Sequence, residues 1–140
     1  MRRIERVGRA NGGHKHRKVR FMDMRLAISQ HGIITVIEVH GDIEMETVSD
    51  LRERMLELVR SGSRHFVVDL NGVSFIDSTG LGVLVGALKR VQAEGGTMRL
   101  VCRQPHVLRV LRLTGLDKVF VIVASQEGLP GTLEAPPDEP

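Results

Sequence analysis

Aromatic side chains are scarce in this chain, which has no tryptophan, no tyrosine and only four phenylalanines among its 140 residues. Proteins that bind single-stranded nucleic acid stack bases on aromatic rings, so this scarcity argues against a specific nucleic-acid site. Aliphatic side chains must therefore fill the core. The single cysteine, Cys102, excludes an internal disulfide and a zinc site built from several cysteines.

Long apolar runs are also lacking. No stretch approaches the roughly 18 apolar residues that a membrane-spanning helix needs. The basic N-terminus is not followed by the apolar segment of a secretory signal. Because 41% of the residues are hydrophobic, the composition is that of an ordinary globular domain. We expect one cytoplasmic domain without a membrane span.

The charge of the chain is concentrated at its two ends. Residues 1–22 carry eight lysines and arginines against one glutamate, whereas residues 125–140 carry four acidic residues and no basic one. The intervening residues 23–124 are neutral in sum. We predict a disordered basic arm over 1–22, one folded domain over 23–124 and a flexible acidic tail over 125–140. The arm is interpreted as a solvated tail, with nonspecific attraction to nucleic acid or anionic lipid as the alternative.

Hydrophobic periodicity predicts strands that alternate with helices. Two alternating segments, 24–29 and 33–40, flank Gln30-His31-Gly32 and predict a β-hairpin. Apolar residues at 3–4 spacing predict a helix from Thr47 or Ser49 to about Gly62, and two more over Ser78–Ala93 and Pro105–Leu113. Short runs rich in β-branched or alternating apolar residues predict further strands over 66–70, 97–103 and 120–123.

This order of elements predicts an α/β fold with a mixed, mostly parallel sheet of about five strands that opens with a β-hairpin. One face of the predicted strands carries polar side chains, namely Glu38, His40, Arg99 and Arg103. A sheet that is covered by helices on both sides would be apolar on both faces. We therefore expect the helices mainly on one face.

The most informative segment is Asp77-Ser78-Thr79-Gly80-Leu81-Gly82, where an apolar strand gives way to the second helix. Ser78 is thereby placed at or next to the N-cap, with its hydroxyl close to unpaired backbone N–H groups. An ordinary capping serine is one interpretation. We favour a regulatory serine, because a phosphate on this hydroxyl would lie at the positive end of the helix dipole.

One stripe of the second helix is predicted to be exposed beside Ser78. Helix geometry turns one side towards the sheet and leaves a stripe roughly 120° away that consists of Ser78, Gly82, Val85, Gly86 and Lys89. A glycine inside a helix costs about 1 kcal/mol relative to alanine. Gly82 and Gly86 either let another element of the fold approach closely or leave a flat surface for a partner. Their angular position favours the flat surface.

Four segments of the chain resemble the STAS domain, and more narrowly the bacterial anti-sigma factor antagonists. They are Gly41-Asp42-Ile43-Glu44 followed by Thr47, residues 74–82, Gly95-Gly96 and residues 113–116. The resemblance covers roughly residues 24–123. It implies a single STAS-like domain that has no catalytic activity and no cofactor of its own. Glu44 stands where members of the family usually have aspartate.

The resemblance also implies a mode of action. The unphosphorylated chain would bind an anti-sigma factor that is also a serine kinase, and so free a sigma factor for RNA polymerase. The kinase, which holds the ATP and magnesium, would phosphorylate Ser78, and a phosphatase would remove the phosphate. The implied partner surface, with the exposed stripe added, is Gly41, Asp42, Glu44, Asp77, Thr79, Gly80, Gly82, Val85, Gly86 and Lys89. We expect the chain to be a monomer when it is free.

Two alternatives remain. Ser78 would be a nucleophile in a serine enzyme, but Gly-x-Ser-x-Gly is missing around it and no motif places a histidine beside it. No phosphate-binding loop of the Gly-x-x-x-x-Gly-Lys-Ser/Thr type occurs, and no metal site is predicted. Within the STAS fold, the chain would instead be a module of a lipid-transport complex or a stress-signalling scaffold that binds its partner constitutively.

Overall fold

The computed structural model describes residues 2–7 and 24–127 of the chain. These residues form a sheet with three helices: β1 (Arg2–Val7), β2 (Met24–His31), β3 (Ile34–Ile43), α1 (Val48–Arg60), β4 (His65–Ile76), α2 (Ser78–Ala93), β5 (Thr97–Val101), α3 (Pro105–Leu113) and β6 (Val121–Val123). A short 3₁₀ helix, Leu116–Lys118, precedes β6. Most of the predicted arm over 1–22 and of the predicted tail over 125–140 lies outside the described residues, namely residues 1, 8–22 and 128–140.

The helices begin and end where their capping signals predict. Thr47 is the N-cap of α1, and Pro105 occupies the first turn of α3, where its missing N–H needs no partner. Gly115 follows α3 with a φ of +78°, a backbone conformation that favours glycine. The three predicted helices are therefore confirmed.

The strands lie in the order β1-β2-β3-β4-β5-β6, so that each is paired with its neighbours along the chain. Strands β1 to β3 pair antiparallel, whereas β3 to β6 pair parallel. Each parallel connection contains a helix and moves one strand further in the same direction. Right-handed crossovers that all move the same way place their helices on one face of the sheet. The predicted mixed α/β sheet with an opening hairpin is confirmed.

The main core lies between the sheet and the three helices. Alternate residues of β2, β3, β4 and β5 pack against the buried sides of the helices, and among them are Phe66, Val68 and Leu100 from the sheet with Leu51, Leu84 and Leu111 from the helices. The other face of the sheet carries a smaller buried cluster of Ile34, Val36, Val67 and Val101, to which the described helices contribute nothing. The predicted one-sided arrangement is confirmed.

The N-terminal segment differs from its prediction. Arg2–Val7 forms the strand β1, which pairs antiparallel with β2 from Arg2↔Ser29 to Val7↔Met24. Without it, β2 would be an edge strand with a row of unpaired backbone N–H and C=O groups. These groups accept a pairing segment through its backbone, so the high arginine content does not prevent strand formation. The sheet therefore has β1 in addition to the five predicted strands.

Strand β4 is longer than predicted, and the described part of the chain continues past the predicted end of the domain at residue 124. β4 continues past Leu70 to Ile76 because β3 runs beside it as far as Ile43, with register shifts between Glu38 and His40 and between Gly41 and Asp42. Gln126, predicted as part of the tail, contacts the face of the sheet that the helices do not cover. There the Gln126 side-chain amide donates to Glu38 Oε2 (3.0 Å) and to Asp69 Oδ2 (2.7 Å), so one amide satisfies two carboxylates.

Candidate functional site

Ser78 is the first residue of α2, directly after the N-cap Asp77. Its side chain is exposed. Within the described ranges 2–7 and 24–127, the Ser78 hydroxyl makes no hydrogen bond. The hydroxyl is therefore accessible at the positive end of the α2 dipole, where the unpaired N–H groups of the first turn favour an anion. This geometry agrees with the prediction that Ser78 lies next to the N-cap.

Asp77 makes the cap and ties the start of α2 to the loop after β3. Its Oδ1 accepts hydrogen bonds from the Thr79 hydroxyl (2.5 Å) and from the Gly80 amide (3.0 Å), while its Oδ2 accepts one from the Met45 amide (3.1 Å). The Thr79 hydroxyl is thus engaged by Asp77. Of the two adjacent hydroxyls, only that of Ser78 is left available to a visiting enzyme.

These hydrogen bonds set the protonation state of Asp77. Burial alone would raise the pKa of its carboxyl, but the hydrogen bonds from Thr79, Gly80 and Met45 outweigh burial and lower the pKa from its ordinary value of 3.8. Asp77 is therefore ionised at neutral pH. A carboxylate at this position also interacts favourably with the helix dipole.

We expect Asp77→Ala to lower the free energy of unfolding by about 1–2 kcal/mol near neutral pH, because it removes the cap and the bond to Met45. Since the pKa of Asp77 is lower in the folded than in the unfolded chain, its stabilisation is present above the ordinary value of 3.8 and is lost as the pH falls through the folded value. Urea unfolding near neutral pH and at about pH 3 measures the effect. If the difference in the free energy of unfolding between the wild-type chain and Asp77→Ala did not become smaller at about pH 3, this role of Asp77 would be contradicted.

The last residues of β3 and the loop that follows it, together residues 41–47, are held beside the start of α2. Gly41 has a φ of +108° at the bulge where β3 changes its register with β4. The buried Thr47 hydroxyl donates to the Asp42 carbonyl (2.9 Å) and accepts from the Glu44 amide (3.2 Å). The Asp77 amide donates to the carbonyl of Ile43 (3.1 Å). The predicted residues Gly41, Asp42 and Glu44 therefore lie at the same edge of the sheet as Ser78, and all three are partly exposed.

Gly80 is buried, which contradicts the expectation that it belongs to the partner surface. A Cβ at this position would lie 2.7 Å from Ile43 Cγ2 and 2.9 Å from the Ile43 carbonyl oxygen. Both distances are shorter than a normal contact between these atoms. Gly80 therefore serves the close approach of α2 to the end of β3.

The predicted stripe of α2 is largely exposed. Ser78, Gly82, Gly86 and Lys89 are exposed, while Leu81, Leu84, Leu88 and Val91 are buried. Val85 differs from its prediction, because it is partly buried and packs against the main core. A Cβ at Gly82 or Gly86 would meet no atom within 4 Å. Close packing inside the fold therefore does not explain these two glycines, and the structure agrees with an open surface.

Two large exposed apolar side chains at the same end of the sheet as Ser78 were not predicted from the sequence. Met45 is 70% exposed and Phe75 is 41% exposed, and the Phe75 ring stacks on His106 with a centroid distance of 6.3 Å. Two features of the sequence could have indicated that these side chains are exposed. Met45 stands between acidic residues in a loop, and Phe75 precedes Ile76 in a strand, where two adjacent side chains cannot both face the core.

Residues 2–7 and 24–127 contain neither a candidate membrane span nor a candidate metal site. None of the helices described there has the length and apolar character to cross a bilayer. Across the same residues, no three histidine, cysteine or acidic side chains are placed to hold a metal ion. Cys102 is buried, and burial raises the pKa of its thiol, so it packs as a small apolar residue.

Comparison with known proteins identifies the family. The STAS domain profile matches residues 25–128. The anti-sigma-B factor antagonist of Bacillus subtilis (strain 168) is 32% identical over 107 residues, which is 76% of this chain and 97% of that protein. The anti-sigma F factor antagonist of Paenibacillus polymyxa is 30% identical over 102 residues, with 72% and 87% covered. An anti-sigma factor antagonist from Mycobacterium paratuberculosis has a similar structure, with a TM-score of 0.69 and 29% identity over 74% of this chain and 88% of that one. The chain therefore belongs to the STAS domain family, among the anti-sigma factor antagonists.

Proposed function

We propose that this chain is a cytoplasmic anti-sigma factor antagonist that works by partner switching. With Ser78 unmodified, it binds an anti-sigma factor and frees the sigma factor that this protein holds. The anti-sigma factor, acting as a serine kinase with its own ATP and magnesium, phosphorylates Ser78 and releases the chain, and a phosphatase resets it. The observation that supports this proposal most directly is the exposed Ser78 hydroxyl, free of hydrogen bonds to the described residues, at the first turn of α2.

Phosphorylation at this position is compatible with the fold. A phosphate adds about −1.5 to −2 charges next to the ionised Asp77, which is unfavourable. The backbone N–H groups of the first turn and the helix dipole offset that repulsion. Because Ser78 is exposed, no internal contact is broken. The modification therefore acts on the surface that a partner meets and leaves the core intact.

At a partner surface the same group has a large effect. An unmodified serine is small and can be covered by a partner without much loss of hydration. A phosphate is bulky and strongly hydrated, and burying it without matching donors costs several kcal/mol. Release of the partner without unfolding of the chain is the expected result.

The proposal is tested by the response of the complex to ATP. We expect the complex of the wild-type chain with its anti-sigma factor to dissociate when ATP and magnesium are added. The Ser78→Ala complex should persist under the same conditions, because it has no hydroxyl to modify. Size-exclusion chromatography before and after ATP addition measures this. Dissociation of both complexes alike would contradict the proposed role of Ser78.

We expect Met45→Ala and Phe75→Ala each to weaken binding of the anti-sigma factor by about tenfold, since exposed apolar side chains near the centre of an interface contribute most of its energy. Leu113→Ala is the matched control. Leu113 is 75% exposed, but it is the last residue of α3. Because α3 begins at the carboxyl end of β5 and runs back along the sheet, Leu113 lies at the end of the sheet opposite to Ser78. Calorimetric titration gives the affinities. If Met45→Ala and Phe75→Ala bound the anti-sigma factor as tightly as Leu113→Ala and the wild-type chain do, Met45 and Phe75 would lie outside the interface.

A further inference from the structure

A groove runs between α1 and α2 on the helical side of the domain. It has a volume of about 280 Å³. Its floor is apolar and includes Met55 and Val59 from α1 with Val83 and Ala87 from α2, while Arg52 and Arg90 stand at its rim. On α2 the groove extends from Gly82 to Val91. Its Gly82 end therefore lies about one helical turn from Ser78.

The groove stays open because two positions on α2 have no side chain. Gly82 and Gly86 both line it, and a Cβ at either would project into open space. They are four residues apart and so lie one above the other on the helix. Within the described part of the chain nothing packs against them, so the stability lost through two helical glycines is not recovered inside the fold. An element that crosses α2 here could approach its backbone closely.

The positive charge at the rim of the groove restricts which kind of partner segment can bind there. Arg52 and Arg90 are both exposed, and no acidic residue is among the residues that line the groove. An occupant that matches it has an apolar side for the floor and carboxylates for the two arginines. A helix fits best, since small residues at i and i+4 allow the backbones of two packed helices to come close.

We propose that this groove binds an amphipathic, acidic helix of the anti-sigma factor and forms a second part of the interface beyond Ser78. This inference rests on the proposed function. It adds α1 to a surface that otherwise consists of α2, residues 41–47 and Phe75 at the end of β4. The groove strengthens binding, whereas Ser78 controls it.

Two other occupants fit the structure less well. The acidic residues 128–140 are complementary in charge, but the chain leaves the described region on the opposite face of the sheet, where Gln126 contacts Glu38 and Asp69. A second copy of the chain that used the same groove would place Arg52 and Arg90 against their own counterparts, which is electrostatically unfavourable.

Gly86→Ala gives the sharpest test, because its effects on stability and on binding should have opposite signs. A methyl group fits the free chain without a clash and removes the helical glycine, so the melting temperature should rise by about 3 °C. The same methyl group should separate α2 from the bound helix and weaken binding by about tenfold. Gln92→Ala, at an exposed position of α2 outside the groove, is the control and should bind like wild type.

The arginines give an independent test. Arg52→Glu and Arg90→Glu should each weaken binding by about fivefold or more, because an attractive pair is replaced by a repulsive one. Arg109→Glu carries the same charge change on the exposed side of α3 and should leave the affinity unchanged. Higher salt should reduce the difference between the groove variants and wild type.

The measurements use the full chain and each anti-sigma factor kinase encoded in the source genome, purified separately and titrated by calorimetry. If none binds the wild-type chain, the proposed function fails. If one binds and Ser78→Asp releases it, but Gly86→Ala and both arginine variants bind like wild type, only the groove inference is overturned. If the chain formed a dimer that Gly86→Leu dissociates, the groove would bind a second copy of the chain. If removal of residues 128–140 tightened binding of the anti-sigma factor, the groove would bind those residues. Either result would overturn the inference.

Discussion

Ser78→Asp is expected to bind the anti-sigma factor at least about 100-fold more weakly than the wild-type chain, with little change in its own stability. Burying a carboxylate without a matching partner costs about 3–5 kcal/mol, which corresponds to more than two orders of magnitude in affinity. In the free chain, the new carboxylate lies at the exposed first turn of α2, where the helix dipole favours it and Asp77 opposes it. Calorimetric titration and thermal unfolding followed by circular dichroism measure the two effects.

Ser78→Asn separates charge from size. Asparagine has nearly the shape of aspartate but no charge, so it should weaken binding much less than Ser78→Asp does. If both variants lost affinity equally, steric exclusion rather than charge would explain the switch. If Ser78→Asp bound like wild type, Ser78 would lie outside the interface and the proposed function would be wrong.

Gly80→Ala should have the largest effect on stability among single substitutions near the site, lowering the free energy of unfolding by about 2–3 kcal/mol. The added methyl group would meet both the side chain and the backbone carbonyl of Ile43 at less than 3 Å. The carbonyl cannot move away without disturbing the Asp77 amide that is bonded to it. α2 must therefore shift away from β3.

Gly82→Ala is the matched control for Gly80→Ala. The two positions are two residues apart on the same helix, but a Cβ at Gly82 meets nothing within 4 Å. This substitution should raise the free energy of unfolding by up to about 1 kcal/mol, because it replaces a helical glycine. Urea unfolding of both variants gives the comparison. If both changed stability in the same direction, the close contact between α2 and Ile43 would not be as described.

The predictable part of the fold is the part that local pattern determines. The three helices follow from apolar residues at 3–4 spacing and from Thr47, Pro105 and Gly115 at their ends. β1 could not be predicted, because pairing with a sheet edge depends on a strand distant in sequence. The extension of β4 through Asn71 and Gly72 has the same cause, since β3 supplies the pairing there.

In the candidate site, too, some features follow from the local sequence pattern and others depend on segments that are distant in sequence. The exposure of Ser78, Gly82 and Gly86 follows from the angular positions of residues on one helix. The burial of Gly80 does not, since it depends on Ile43 approaching from another segment. The groove likewise requires the packing of α1 against α2, which no single-helix pattern contains.

The most direct test of the account is to incubate the chain with its anti-sigma factor, ATP and magnesium, and to map phosphate by mass spectrometry while the complex is followed by chromatography. One phosphate is expected on Ser78 and none on Thr79, whose hydroxyl is engaged by Asp77. Loss of the complex should keep pace with the modification. Phosphate at a different residue, or a chain that remains bound after Ser78 is fully phosphorylated, would contradict the account.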